Sequence, residues 1–372
     1  MASSRSHRSL STSLCDLLGI RYPIIQAPMA GGWTTPDLVS AVCEAGGFGV
    51  LAGARVAPEK LRDDIKVVKG RTDKPFGVNF LIAPPGRENE DVASVQRFLD
   101  RFRERLDLPP GNTDIAAPPS PLAEQLEVVF EERVPVLSVA LGDPAELVER
   151  AHGEGVMVSA MVTTAEEAVR VAERGVDVVV AQGAEAGGHR STFEVGPGRE
   201  VPLVGTMALV PRVVDSVDIP VVAAGGISDG RGLLAALSLG ASGAQLGTRF
   251  LLARESGAHP AYRKRLLEAG ETDTIVTHAF TGRPARGLRN RLAEEYISEG
   301  PEPLGWLLHS AAAGDIYAAA QAADDGDYSP LLAGQGVGLI GEEQGAAEIV
   351  ERLVDEAAVV LSRLEDKRQV GR

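Results

Sequence analysis

Cysteine is nearly missing from this 372-residue chain, which carries only Cys15 and Cys43. Two thiols in no metal-ligand spacing support neither a disulfide framework nor a zinc site, and a reducing compartment is the expected setting. Aromatic residues are also sparse, at 4%. Positive charge is in deficit: 37 basic residues against 52 acidic ones leave a formal charge of -15 and a pI near 5.0. That balance argues against nucleic acid or an anionic membrane as a partner. No apolar run reaches the roughly 18 residues that suggest a membrane span, and Met1 to Ser13 lacks the apolar stretch of a secretory signal. A cytoplasmic protein with a flexible tail over residues 1–13 is expected. Catalytic signatures are missing too. There is no His-Glu-x-x-His, and His152, His259, His278 and His309 are scattered, so no metal is expected. No Lys stands at a strand end and no carboxylate pair is evident, which disfavours aldol or isomerase chemistry on a sugar phosphate.

What is abundant is glycine, with 42 residues, set among Ala, Val and Leu in a regular rhythm. Apolar runs at 22–29, 48–53, 76–81, 135–142, 156–162, 177–182, 219–227 and 243–251 read as eight strands. Helical stretches alternate with them, among them 36–46, 58–70, 122–132, 164–174, 207–217 and 230–239. Continuous rather than alternating apolar runs mark strands covered on both faces, and alternation with helices implies a parallel sheet. Eight such units predict a (β/α)8 TIM barrel over 14–251, with an insertion at about 84–121. A helical C-terminal cap over 252–372, without strands of its own, is expected to complete the mouth. An open dinucleotide-binding sheet would carry its glycine fingerprint in the first unit, and none stands there. The match at Gly336, Gly338 and Gly341 comes too late in the chain for that fold.

In a barrel of this kind the C-terminal strand ends meet at one mouth. Strand one supplies Gln26, Ala27, Pro28 and Met29, and strand three Asn79. Strand six supplies Gln182 and the Gly187-Gly188-His189 loop. Strands seven and eight end in Gly225-Gly226 and Gly247-Thr248, where barrels commonly bind phosphate. An apolar Pro-Met edge with the amides of Asn79 and Gln182 suits a flat heteroaromatic ring, so flavin mononucleotide (FMN) fits and a sugar phosphate remains the alternative. Glu185 reads either as an orienting group for this loop or as a solvated side chain.

Six blocks in order carry a resemblance: Gln26-Ala-Pro-Met-Ala-Gly-Gly32, Ala181-Gln-Gly-Ala-Glu-Ala-Gly-Gly-His-Arg190, Met207-Ala-Leu-Val-Pro211, Ala224-Gly-Gly-Ile227, Leu246-Gly-Thr-Arg-Phe250 and Ala333-Gly-Gln-Gly336. The chain resembles the nitronate monooxygenase family, formerly called 2-nitropropane dioxygenases. The resemblance implies a barrel holding FMN non-covalently and oxidising alkyl nitronates, or nitroalkanes, with O2 to a carbonyl compound and nitrite. It implies that Ala27, Pro28, Met29, Asn79, Gln182, Gly187, Gly188, Gly225, Gly226, Gly247 and Thr248 contact FMN and that His189 is the catalytic histidine. The expected partners are the small nitro compound and O2, with a homodimer left open. Ser191, where the family commonly has Gly, and Leu141-Gly142, where it often has Phe-Gly, depart from the pattern and point to a reshaped pocket. Two alternatives stand beside this reading. One is an FMN-dependent enoyl-acyl-carrier reductase with a similar Gly-Gly-His loop, against which Gln182 and the Ala-Gly-Gln-Gly block argue. The other is a non-catalytic barrel that binds a phosphorylated ligand.

Overall fold

The computed structural model describes residues 10–83, 90–195 and 200–370. Most of the N-terminal tail, the start of the insertion and part of the loop after strand six therefore lie outside the described residues. Eight parallel strands close a barrel in the order β1 (Ile24–Gln26), β2 (Phe48–Ala52), β3 (Gly77–Leu81), β4 (Val136–Ala140), β5 (Met157–Val162), β6 (Val178–Gln182), β8 (Val221–Ala224) and β9 (Gly243–Leu246). This is the (β/α)8 architecture expected. Three ends differ from the apolar runs. β1 is shorter than 22–29 because Pro23 and Pro28 have no N–H to give a ladder. The run at 219–227 stops at Ala224, since Gly225 (φ 110°) and Gly226 (φ 72°) leave the β region. The last run ends at Leu246, and Thr248–Leu251 is a short helix.

Burial follows the double cover. Ile25, Phe48, Val50, Val136, Val178, Val180 and Val222 form one core cluster with Leu14 and Leu18 of the helix Ser13–Leu18. That helix plugs the N-terminal end so closely that a Cβ at Gly243 would meet Leu14 Cδ2 at 2.5 Å. Outward-facing residues such as Ile24, Leu51, Val78, Val139 and Val179 join the surrounding helices in the largest cluster.

Two parts of the C-terminal extension depart from the expectation of a purely helical cap. The extension does hold helices, including Arg291–Glu299, Trp306–Ala312 and Gly314–Ala322, but it also contributes β10 (Thr274–Thr277) and β11 (Ala285–Leu288). These form an antiparallel sheet with β7 (Gly188–His189), in which Ala285 pairs with His189 and Arg286 with Gly188. The last helix, Ala346–Val370, lies against the helices Gly230–Ser238 and Pro36–Glu44, on the barrel's flank rather than over its mouth. Its Ile349, Val350, Leu353, Val354 and Ala357 complete the outer core.

The insertion joins the extension. Val95, Phe98, Leu99 and Phe102 of the helix Val92–Arg105 pack with Phe280, Leu292, Tyr296, Ile316 and Tyr328 in a separate apolar cluster. Arg103, buried at its edge, donates to Asp315 and Asp100 at 2.8 Å each and to the Ala312 carbonyl at 2.6 Å. A buried guanidinium is tolerated there because two carboxylates face it.

Candidate active site

All twelve residues expected at the site line one cleft at the C-terminal barrel mouth. Counted with the solvent at its opening, the cleft spans about 1230 Å3. Its floor follows from strand register. Ala52 pairs with Asn79, Gln182 with Ala224 and Ala224 with Gln245, so these side chains share the inner face, with Met161 on β5 beside them. Ala27, Pro28 and Met29 form one wall, and Thr34 accepts from the Met29 N–H at 2.8 Å to hold its turn.

On the opposite side the last two strand exits present unsatisfied donors. Among the described residues, no hydrogen bond takes up the backbone N–H of Gly226, Ile227, Gly247 or Thr248. Four N–H groups left free at one end of a concave site are what an anion, phosphate above all, requires. The Thr248 hydroxyl accepts from the Gly334 N–H at 2.9 Å, which ties this corner to the extension.

The Gly187-Gly188-His189 loop is held from three directions. Gly188 has φ 81°, open to glycine at little cost, and a Cβ at Gly187 would meet Gly334 N at 2.5 Å and Ala333 C at 2.6 Å. Gln182 Nε2 donates to the His189 carbonyl at 2.8 Å, while its Oε1 accepts from the Ser191 N–H at 2.9 Å. Buried Arg190 donates to the carbonyls of Gly183 (2.6 Å), Gln182 (3.0 Å) and Pro202 (3.2 Å). Gln182 thus uses part of its amide on its own loop. Asn79 Nδ2 donates to the Ser138 carbonyl and hydroxyl at 3.1 and 3.0 Å, which leaves Oδ1 for a ligand. Glu185 resolves as a tie between loop and helix: its carboxylate accepts the Thr206 N–H at 2.9 Å and the Thr206 hydroxyl at 2.8 Å, at the start of the helix Thr206–Val214.

His189 is half-buried, with Nε2 2.8 Å from the Thr281 hydroxyl. The indole of Trp306 meets its ring edge-on at 6.1 Å. Burial pushes the imidazole from its usual 6.5 down to about 4, and the positive charges of Arg283 and Arg55 add to the shift. It is therefore neutral at pH 7, able to accept a proton at one nitrogen and share a hydrogen bond at the other.

Sequence reasoning missed Thr281, Trp306 and Gln245. Gln245 had a signal, being an amide in an otherwise apolar strand. Thr281 and Trp306 had none, because they enter the mouth from the distant extension. The late glycine fingerprint at Gly336, Gly338 and Gly341 begins in a 3-10 turn, Gln335–Leu339, with no strand of a dinucleotide fold before it.

Barrel and cleft together define a (β/α)8 enzyme whose mouth brings the glycine-rich exits of the last two strands and His189 into one cleft. The chain belongs to the nitronate monooxygenase family, whose family model matches residues 11–356. That is an oxidoreductase family, in general flavin-dependent. A probable nitronate monooxygenase of Staphylococcus haemolyticus (strain JCSC1435) is 38% identical over 95% of this chain and 98% of its own. The crystal structure of nitroalkane oxidase from Streptomyces ansochromogenes superposes with a TM-score of 0.87 at 37% identity, covering 95% of this chain and all of that one. FabK from Thermotoga maritima follows at 0.76 and 32% identity, covering 96% and 99%. Among the described residues no helix is long and apolar enough to cross a membrane.

Proposed function

We propose that this protein uses non-covalently bound FMN to oxidise alkyl nitronates with O2, giving carbonyl compounds and nitrite. Two nitronate anions and one O2 balance two carbonyl compounds and two nitrites. The observation that carries the reading is the pairing, within one cleft, of free N–H groups at Gly226, Ile227, Gly247 and Thr248 with the imidazole of His189.

The cleft suits the cofactor. The four donors match a phosphate, Met29 and Pro28 offer an apolar edge, and Asn79 Oδ1 and the remaining amide capacity of Gln182 lie on the floor. Ala27, Gly187, Gly188 and Gly225 let backbone approach closely. When bound, FMN supplies the electron-accepting and O2-reactive chemistry. The chain's own share is placement and proton handling. His189, neutral and steadied by Thr281, removes the α-proton of a neutral nitroalkane, or holds an already formed nitronate by a hydrogen bond. Trp306 lies beside that position, its ring 6.1 Å from the imidazole, and Leu81 lines the cleft next to it.

The purified protein is expected to be yellow, to release nitrite from ethane nitronate without a nicotinamide, and to leave crotonyl thioesters unreduced. His189→Ala is expected to keep the flavin spectrum and lose turnover by about 100-fold or more, the usual contribution of acid–base catalysis. Nitrite release by that variant at the parent rate would remove His189 from the chemistry. Nicotinamide-dependent reduction of the thioester would replace the reading with the enoyl reductase one.

A further inference from the structure

Beyond His189, away from the flavin end, lies a second cavity that the reaction above does not use. It is open to solvent, and among the described residues it spans about 1590 Å3 counted with the solvent at its mouth. Leu81 lines both this cavity and the active-site cleft. Trp306, whose indole edge meets His189 at 6.1 Å, lines the cavity as well. The two spaces therefore meet at Leu81 and Trp306, beside the histidine.

That space is walled by Ile82, Leu122, Leu147, Leu307 and Leu308 in addition to Leu81 and Trp306. All seven are only partly buried although they face one another. Apolar side chains that gather without closing on each other leave surface that a ligand's apolar group would remove from water. Four different parts of the chain supply them: the end of β3, the helix Leu122–Glu131, the helix Ala145–Gly153, and the helix Trp306–Ala312 of the extension. The rim is acidic, with Glu90, Asp143 and Glu146. Asp143 is neutralised by Arg170 at 2.6 Å, and Glu90 accepts from the Gly305 N–H, but among the described residues no cation pairs with Glu146. A negative rim on a chain of net charge -15 repels an anionic tail.

We infer that this cavity is the tail site for the substrate, and that the protein selects primary nitronates bearing an uncharged alkyl chain of about six to eight carbons. The nitronate head lies at His189 while the chain passes Leu81 and Trp306 into the cavity. This deepens the functional reading above and rests on it for the identity of the head group.

The test is nitrite release by the flavin-loaded enzyme across nitronates of nitroethane, nitrobutane, nitrohexane and nitrooctane, with an ω-carboxylated nitronate of the longest length. Burial of one methylene is worth about 0.8 kcal/mol, so kcat/KM should rise about threefold to fourfold per carbon until the cavity is filled. The carboxylated compound should gain nothing over nitroethane. Leu147→Trp and, separately, Leu122→Trp fill the cavity without touching His189. Each is expected to bring the octane compound down to the nitroethane value while nitroethane turnover stays within about twofold. A flat chain-length profile in the parent, or an unchanged profile in both filled variants, would overturn the tail site.

A second readout needs no turnover. With Trp33→Phe, Trp306 is the only indole, and 1-octanol is expected to perturb its fluorescence saturably, an effect lost on adding Leu147→Phe, which fills the cavity without a second indole. Octanol binding of this kind with no nitrite from any nitronate would support the alkyl site and overturn the reaction. Nitrite from every nitronate with no octanol response would do the reverse.

Discussion

Leu141 is held at φ 73° with its side chain buried against the cleft, in a region that costs an L-residue roughly 1–2 kcal/mol. Ser191 supports it. The Ser191 hydroxyl accepts from the Leu141 N–H at 3.0 Å and donates to the Met161 carbonyl at 2.9 Å. The two positions that the resemblance singled out as expected departures are therefore one structural unit, a hydroxyl bridging two strand ends under the histidine loop. Ser191→Ala leaves the Leu141 N–H buried without a partner, a loss of about 1–3 kcal/mol. Denaturant unfolding is expected to show that loss, and kcat/KM for short and long nitronates should change unequally as Leu141 shifts. Equal changes for all substrates would mean that the pair matters to stability alone. Each residue of the unit was visible as an exception in the sequence, but their bond was not. It spans 50 positions and depends on β4 and the histidine loop meeting at the barrel mouth.

The three-stranded sheet of β7, β10 and β11 places His189. Through it, residues nearly a hundred positions later set the orientation of His189, and Thr281, in the turn between β10 and β11, reaches its Nε2. The turn is secured from behind: Tyr317 donates to the carbonyl of Phe280 at 2.9 Å, and His309 Nε2 lies 3.1 Å from that of Ala279. Thr281→Val keeps the shape and removes the hydroxyl. Turnover is expected to fall about tenfold to hundredfold, the order that a misplacement of about 1 Å brings. Flavin absorbance should persist and Thr281→Ser should restore the rate. A variant as active as the parent would show that Thr281 does not position the imidazole. The β-branched run Thr274-Ile-Val-Thr277 carried a strand signal. It was submerged in a long helical extension, and a two-residue partner such as Gly188–His189 has no periodicity to read.

The closing helix Ala346–Val370 makes barrel and extension interdependent. It follows the cap in sequence yet fills the flank between the helices Gly230–Ser238 and Pro36–Glu44, and a Cβ at Gly230 would collide with the Ala357 N–H. Leu353, buried on that flank, belongs to the barrel's outer core. Leu353→Ala is expected to cost about 2–5 kcal/mol and to lower one cooperative unfolding transition that releases flavin and unfolds the barrel together. Separate melting of the last helix with the barrel intact would contradict this. We propose on these grounds that the cap proper ends near residue 345.

Barrel class, strand count and the glycine exits of the last two strands were legible along the chain, because each depends on short-range patterning: apolar runs of strand length, helical spacing between them, and glycines where the backbone must turn. The side chains that orient His189, the bridge between Ser191 and Leu141, and the apolar cavity behind Trp306 were settled only by the fold. Each is a contact between segments tens to more than a hundred residues apart, and closing the barrel with its extension over the mouth is what brings those segments within hydrogen-bond or van der Waals reach.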